Sequence, residues 1–294
     1  MIFGHRIDFV NEPVLNSHFQ NVEDPFICGT IKVEECSLPH FEVMTALMPH
    51  SLQKVRYGGH RPFEETKGKS VEWLMEIEGV LKLVWFPQRA TIGYEKGKGF
   101  SPERLRFWLY HTFLPLLFQM EERYDILHAG CVEVRGKAVL FIAPSFGGKS
   151  TLTHFFLQQG HRLLSDDTLA VKRMKNGKYH AIASWPFYRP YREAEVLGKE
   201  TTAFVTKPLE IVAVYRLEKT EVTSTVFITK SKGVEKFKTI HYGSFIPLSF
   251  LKQRTFAFHT SFAQSIPLYR VTIPWEKERL DEVYQTVLKQ TLQI

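Results

Sequence analysis

Leu140-Phe141-Ile142-Ala143-Pro144-Ser145-Phe146-Gly147-Gly148-Lys149-Ser150-Thr151 runs from a strand into a glycine turn and out into a helix, and its reading decides the fold. Val139 to Ile142 are the large apolar residues of a buried strand, and Leu152, Phe155 and Phe156 recur at the i, i+3, i+4 spacing of a helix face. Gly147 and Gly148 permit a bend tight enough for successive N–H groups, from Ser145 through Phe146 to Thr151, to point at phosphate oxygens. Lys149 then reaches the β- and γ-phosphates as a point charge, and Ser150 offers its hydroxyl to the Mg²⁺ that travels with a nucleotide. The helix N-terminus adds its positive dipole end. Ala143 stands where the pattern G-x-x-x-x-G-K-S has its first glycine; that position closes the strand, where a small residue suffices. The plainer alternative is a helix that begins Gly-Gly-Lys-Ser for purely local reasons.

Working outward, Gly160 ends the helix as a C′ glycine, and Arg162-Leu163-Leu164-Ser165-Asp166-Asp167 reads as a short apolar strand that ends in two carboxylates. A strand, loop, helix, strand order brings the pair to the sheet edge where phosphates would sit. One carboxylate there can hold Mg²⁺ and the other can accept the proton of an attacking hydroxyl. An Asp-Asp pair by itself is more often a solvated turn or cap; its position after this loop favours the chemical reading. Before the loop, Ile126 to Val134 reads as a strand, Arg135-Gly136-Lys137 as a turn and Ala138 to Ala143 as the returning strand. A hairpin centred on Arg135-Gly136 sets His128 opposite Ala143, at the loop mouth. There the imidazole can fix a carboxylate or offset phosphoryl charge; equally, it can be a hydrogen-bonded histidine at a strand entry.

Leu127-His128-Ala129-Gly130, Val139 to Thr151 and Gly160 to Asp167, in this order and spacing, resemble the core of the HPr kinase/phosphorylase family, whose fold is shared with ATP-dependent phosphoenolpyruvate carboxykinase. The close likeness covers roughly forty residues, with a looser one over the C-terminal two thirds. It implies an α/β chain with a P-loop kinase core that uses ATP and Mg²⁺ to phosphorylate a serine hydroxyl of a peptide or protein. By the same resemblance, Lys149 and the loop amides hold the phosphates, Ser150 and Asp167 serve the metal, Asp166 is the base candidate, and His128 orients or charge-balances Asp166. The order of roles within the Asp pair stays open. The family's Glu-x-Arg-Gly-x-Gly signature is not reproduced, which argues against HPr as substrate and against reverse phosphorolysis. In its place stands Trp185-Pro186-Phe187-Tyr188-Arg189-Pro190-Tyr191-Arg192-Glu193, ahead of Gly198. Arg189 and Arg192 are candidate clamps for phosphate or an acidic substrate and Glu193 a candidate further metal ligand, or the aromatics pack a loop and the arginines are solvated. Length and layout are also similar to kinases that tailor ribosomally made peptides, including those that phosphorylate the C-terminal serine of lasso peptide precursors.

At 294 residues with 44% hydrophobic content and 24 Phe, the chain can build a large aromatic core in one or two unequal domains. Three cysteines, Cys28, Cys36 and Cys131, lie far apart without a Cys-x-x-Cys pair, which speaks for reduced thiols in a cytoplasmic protein and against a zinc site. The apolar stretch Phe107 to Phe118 is interrupted by His111 and Pro115 and is too short to span a bilayer. A net charge of +7 is modest and scattered, with local concentration at 54–61 and 230–238; these residues read as solvated loops in place of a nucleic-acid surface and are compatible with an acidic peptide partner. The expected partner is therefore a peptide or protein bearing the acceptor serine, with no nucleic acid and no membrane, and with self-association left open.

Alternation at Val71, Trp73, Met75 and Ile77, with apolar runs at Phe41 to Leu47 and Leu81 to Phe86, marks residues 1–100 as a β-rich domain assigned to substrate recognition; 101–294 is the catalytic domain. His50 to Lys69 reads as a long mobile loop. Ser101 as N-cap and Pro102 at N1 open a helix that Pro115 kinks or ends. A C-terminal helix buries Leu280, Val283, Tyr284, Val287 and Leu288. Two other classes are weighed: a nucleoside or small-molecule kinase, which needs an Arg-rich lid that is not seen, and a nucleotide-binding regulatory module without turnover, which needs only Gly147 to Ser150.

Overall fold

A computed structural model describes residues 1–16, 26–50, 53–65, 68, 71–189, 194–246 and 248–294. Arg192 and Glu193 lie outside these residues. The chain forms two compact units, Met1–Tyr124 with Glu193–Leu197, and Asp125–Arg192 with Gly198–Ile294. Among the described residues no helix is long and apolar enough to cross a membrane. Cys28, Cys36 and Cys131 are free thiols.

In the first unit, β1 (Arg6–Phe9), β2 (Thr30–Glu35), β3 (Val43–Met44), β4 (Met48–His50), β5 (Gln53–Gly59), β6 (Trp73–Ile77), β7 (Leu81–Phe86) and β8 (Thr91–Lys96) make a sheet in the order β1-β2-β8-β7-β6-β5-β3, with β4 on β5. The stretch expected as a long loop thus contains β5. Its Lys54 and Arg56 face outward while Val55 and Tyr57 point into the core, and a Cβ on Gly58 would collide with the Met44 thioether, so Gly58, which looks like a loop signal, is a strand residue under a crossing side chain.

The helical segment α1 (Pro102–Trp108) starts as expected, with the Ser101 hydroxyl accepting the Arg104 N–H at 3.3 Å. It continues through a π-helical turn, Leu109–Phe113, into α2 (Leu114–Met120). Pro115 neither stops nor simply kinks it: the wider turn, in which Leu114 N–H reaches back to the Leu109 carbonyl, accommodates a residue with no N–H and a bulky ring. Phe113 stacks on Trp73 at 4.4 Å, and the Trp85 indole donates to Glu121 at 3.0 Å, which ties this helix to the first unit.

The second unit contains β9 (Asp125–His128), β10 (Gly130–Val134), β11 (Lys137–Ile142), α3 (Lys149–Gln158), β12 (Arg162–Ser165), β13 (Thr168–Arg173), β14 (Tyr179–Ile182), β15 (Phe187–Tyr188), β16 (Lys199–Glu200), β17 (Leu209–Thr220), β18 (Ile228–Lys230), α4 (Val234–Tyr242), α5 (Lys252–Ser265), β19 (Leu268–Pro274) and α6 (Leu280–Thr291). The strand order is β12-β10-β11-β17-β14-β13-β9, with β19 on β17 and β18 on β19. β11, β17 and β19 run parallel, so their carboxyl ends share one edge. α3 and α6 cover a core of Phe141, Leu152, Phe156, Tyr215, Val271 and Val287.

The hairpin register is as expected, Gly130 opposite Phe141 and Val134 opposite Lys137, across an Arg135-Gly136 turn with both φ angles positive (48° and 77°). The strand expected over 126–134, however, breaks at Ala129. β10 pairs with β12, Cys131 opposite Ser165, while β9 departs to pair with β13, His128 opposite Thr168 and not Ala143. β9–β10 and β12–β13 are therefore one antiparallel ribbon, bent where Ala129 and Gly130 face Asp166 and Asp167. Two backbone bonds hold the bend, Ala129 N–H to the Asp167 carbonyl (2.9 Å) and His128 N–H to the Gly243 carbonyl (2.7 Å).

Gly130 has a specific function in this packing. A Cβ there would collide with the hydroxyl of Thr153, a fully buried residue on α3, and would otherwise meet only ordinary contacts at 3.8 Å. Gly130→Ala is expected to cost roughly 1–3 kcal/mol in urea unfolding. Adding Thr153→Ala should recover a large part of that loss, because the colliding atom is removed; two losses that simply add would contradict this packing.

Candidate active site

The carboxyl ends of β11, β12 and β9 and the N-terminus of α3 lie at one edge of the second unit, the edge where ligands bind in open α/β sheets. The 143–149 loop leaves β11 here. Pro144, Ser145 and Phe146 form its exposed crest, and Phe146 adopts a positive φ of 61° that non-glycine residues avoid. Gly147 is obligatory because a Cβ would lie 2.8 Å from that of Ala143 and 2.9 Å from the Pro144 oxygen. Gly148, at φ 88°, is the N-cap of α3. Thr151 faces solvent in the first turn of the helix, beside the half-buried Ser150.

Lys149 is folded inward, 6% exposed, and its ammonium donates to the Ala143 carbonyl at 3.0 Å. It also lies 3.0 Å from His128 Nε2. An ammonium only donates, so Nε2 must accept, which puts the imidazole proton on Nδ1. Nδ1 faces Asp167 Oδ1 at 3.3 Å, which gives a continuous line from Asp167 through His128 to Lys149. His128 therefore reaches the loop as expected, by a different route, and its carboxylate partner is Asp167 where Asp166 was expected.

Asp167 is further held by the Arg189 guanidinium (3.3 Å to Oδ1) and the Thr168 hydroxyl (3.3 Å to Oδ2). Asp166, 2% exposed, accepts the Arg189 backbone N–H at 2.9 Å on Oδ2, while its Oδ1 is buried without a hydrogen-bond partner. Burial pushes the Asp166 carboxyl up to about 6, and neighbouring Asp167 raises it too; the Arg189 N–H, its guanidinium and the Ser150 hydroxyl pull the other way. An orphaned carboxylate oxygen beside a serine hydroxyl has the donor chemistry for a hard divalent cation. Among the described residues no group of three or more His, Cys, Asp or Glu is clustered as a metal site, and two protein donors suit a cation whose other ligands are phosphates and water.

Arg189 is positioned by its neighbours. Tyr188 in β15 stacks on His154 of α3 at 5.1 Å, and a Cβ on Gly198 would collide with the Tyr188 carbonyl, so the close approach of the 198 turn requires glycine. Trp275, just past β19, is brought against the loop with no local motif to signal it. Its nearness follows from the parallel registers of β11 with β17 and of β17 with β19.

No family model matches the chain. Over 50 residues it is 40% identical to a protein of Oceanobacillus iheyensis described as an HPr kinase/phosphorylase 2, a match that covers 17% of this chain and 16% of the relative's length. The Hpr(Ser) kinase/phosphatase of Coxiella burnetii aligns with 57% of this chain and 97% of its own, at 14% identity and a TM-score of 0.36. The sequence similarity is to HPr kinases.

The Asp166 environment has a consequence for stability. The folded protein holds this proton more tightly than the unfolded chain, where an aspartate titrates near 3.8, so stability from this group is full below that value and lost as pH rises through about 6. The difference amounts to on the order of 3 kcal/mol. Asp166→Asn should therefore gain on the wild type between pH 4 and pH 8 in urea titrations run without nucleotide or metal; a constant difference across that range would contradict the assigned burial.

Proposed function

We propose that the chain is an ATP-dependent kinase that transfers the γ-phosphoryl group to a serine hydroxyl of a peptide or protein. The observation that carries this reading is the unbroken line of contacts from Asp167 through His128 to Lys149, the lysine of the glycine loop. Asp167, His128 and Arg189 are superfluous in a module that only binds nucleotide. The resemblance to kinases that tailor ribosomally made peptides, and the missing HPr-kinase signature, favour a peptide acceptor over HPr, with the C-terminal serine of a lasso peptide precursor as the specific candidate.

In this reading the amides of Ser145 to Thr151 and the Lys149 ammonium hold the β- and γ-phosphates. Ser150 and Asp166 are the residues that would hold Mg²⁺, which when bound neutralises the charge on the β- and γ-phosphoryl oxygens. This exchanges the roles first drawn from the resemblance, in which Asp167 served the metal and Asp166 was the base. The new assignment rests on the unpartnered Asp166 Oδ1 and on His128 pairing with Asp167.

Asp167 takes the seryl proton as the Oγ–P bond forms and the bond from the γ-phosphorus to the β,γ-bridging oxygen breaks, releasing ADP. In a loose transition state the nucleophile needs little activation, so a carboxylate kept in place by Thr168, Arg189 and His128 serves as well as a stronger base. Lys149 and the Arg189 guanidinium are the fixed positive charges that would offset the charge on the transferring group.

Lys149→Ala is expected to lose both ATP binding and transfer, measured by calorimetry and by phosphopeptide formation. Asp167→Asn should lower transfer by about 10²–10⁴-fold while leaving MgATP affinity nearly unchanged. Asp166→Asn should instead weaken binding of MgATP; the reverse pattern would return the base to Asp166.

A further inference from the structure

β17 and β19 continue past the level of the loop and end together, with Trp275 N–H donating to the Thr220 carbonyl at 3.2 Å. The Trp275 ring abuts Gly148, its nearest atoms 3.5 and 3.9 Å from where a Cβ would stand, so no side chain intervenes between the indole and the residue preceding Lys149. The Lys219 ammonium sits over the same ring, 4.2 Å from its centroid. Despite its size, Trp275 is 44% exposed. The indole is thus pinned at its backbone, carries the Lys219 ammonium over one face, and keeps part of its surface open to solvent beside the glycine turn.

We propose that Trp275 is the platform on which the nucleobase of a phosphate-bound nucleotide stacks, with Lys219 as the residue that positions the indole. The proposal rests on the reading of 143–151 as a triphosphate site and adds to it the element that recognises the base. Stacking on an aromatic face suits any base, so the preference it creates is for nucleotides over bare polyphosphate, and for the larger purine ring over pyrimidine.

The test is calorimetric titration of the wild type, Trp275→Ala and Trp275→Phe with ATP and with inorganic tripolyphosphate, each in Mg²⁺. The expected result is that Trp275→Ala weakens ATP by at least about tenfold, leaves tripolyphosphate unchanged, and that Trp275→Phe restores most of the ATP affinity. Unchanged ATP affinity in Trp275→Ala, or equal weakening of both ligands, overturns the proposal; the second outcome makes Trp275 a brace for the loop. Wild-type protein that binds tripolyphosphate as tightly as ATP also overturns it while sparing the phosphate loop. A wild type that binds neither ligand refutes the triphosphate reading and the platform together.

Discussion

The bend in the β9–β10/β12–β13 ribbon is the constraint from which the rest of the site follows. Pairing is regular on both sides, through Cys131 with Ser165 and His128 with Thr168, so Ala129–Gly130 and Asp166–Asp167 are fixed against each other in the gap. Alternation along the strands then turns His128 and Asp167 toward one another, and the missing Cβ at Gly130 admits α3 closely enough for Lys149 to reach His128. A shift of one residue on either side would turn these side chains away and separate the groups.

The cluster is mostly buried and carries charges of both signs, an arrangement that is costly unless each charge has a partner. Lys149 is satisfied by the Ala143 carbonyl and His128, and Asp167 by three side-chain donors. Asp166 is the exception, with one carboxylate oxygen unpaired and its proton held up to about 6. The proposed kinase reading gives that exception a purpose: a cation beside Ser150 would favour the ionised carboxylate that burial disfavours.

Much of this was legible in the sequence because it is local. The glycine turn, the α3 face, the Gly160 stop and the I′ hairpin at Arg135-Gly136 are each set by residues within a few positions of one another, and all of them form. The resemblance to HPr kinases lies in Leu127 to Gly130, Val139 to Thr151 and Gly160 to Asp167. What was not legible depends on long-range register. That His128 meets Asp167 and not Asp166 follows from the break at Ala129, which no residue type announces. The nearness of Trp275 to Gly148 follows from two parallel strands whose sequences are far apart. In the first unit, Gly58 carries a loop signal that the crossing Met44 side chain overrides, and Pro115 carries a stop signal that a π turn absorbs.

In the proposed reaction both carboxylates, the imidazole and the loop lysine act on one nucleotide. The most direct test is a crystal structure with Mg²⁺ and a non-hydrolysable ATP analogue. The expected result is the γ-phosphate between Lys149 and Asp167, with the cation on Ser150 and Asp166. Phosphates bound away from the 143–149 loop, or a cation that touches neither Ser150 nor Asp166, would contradict it.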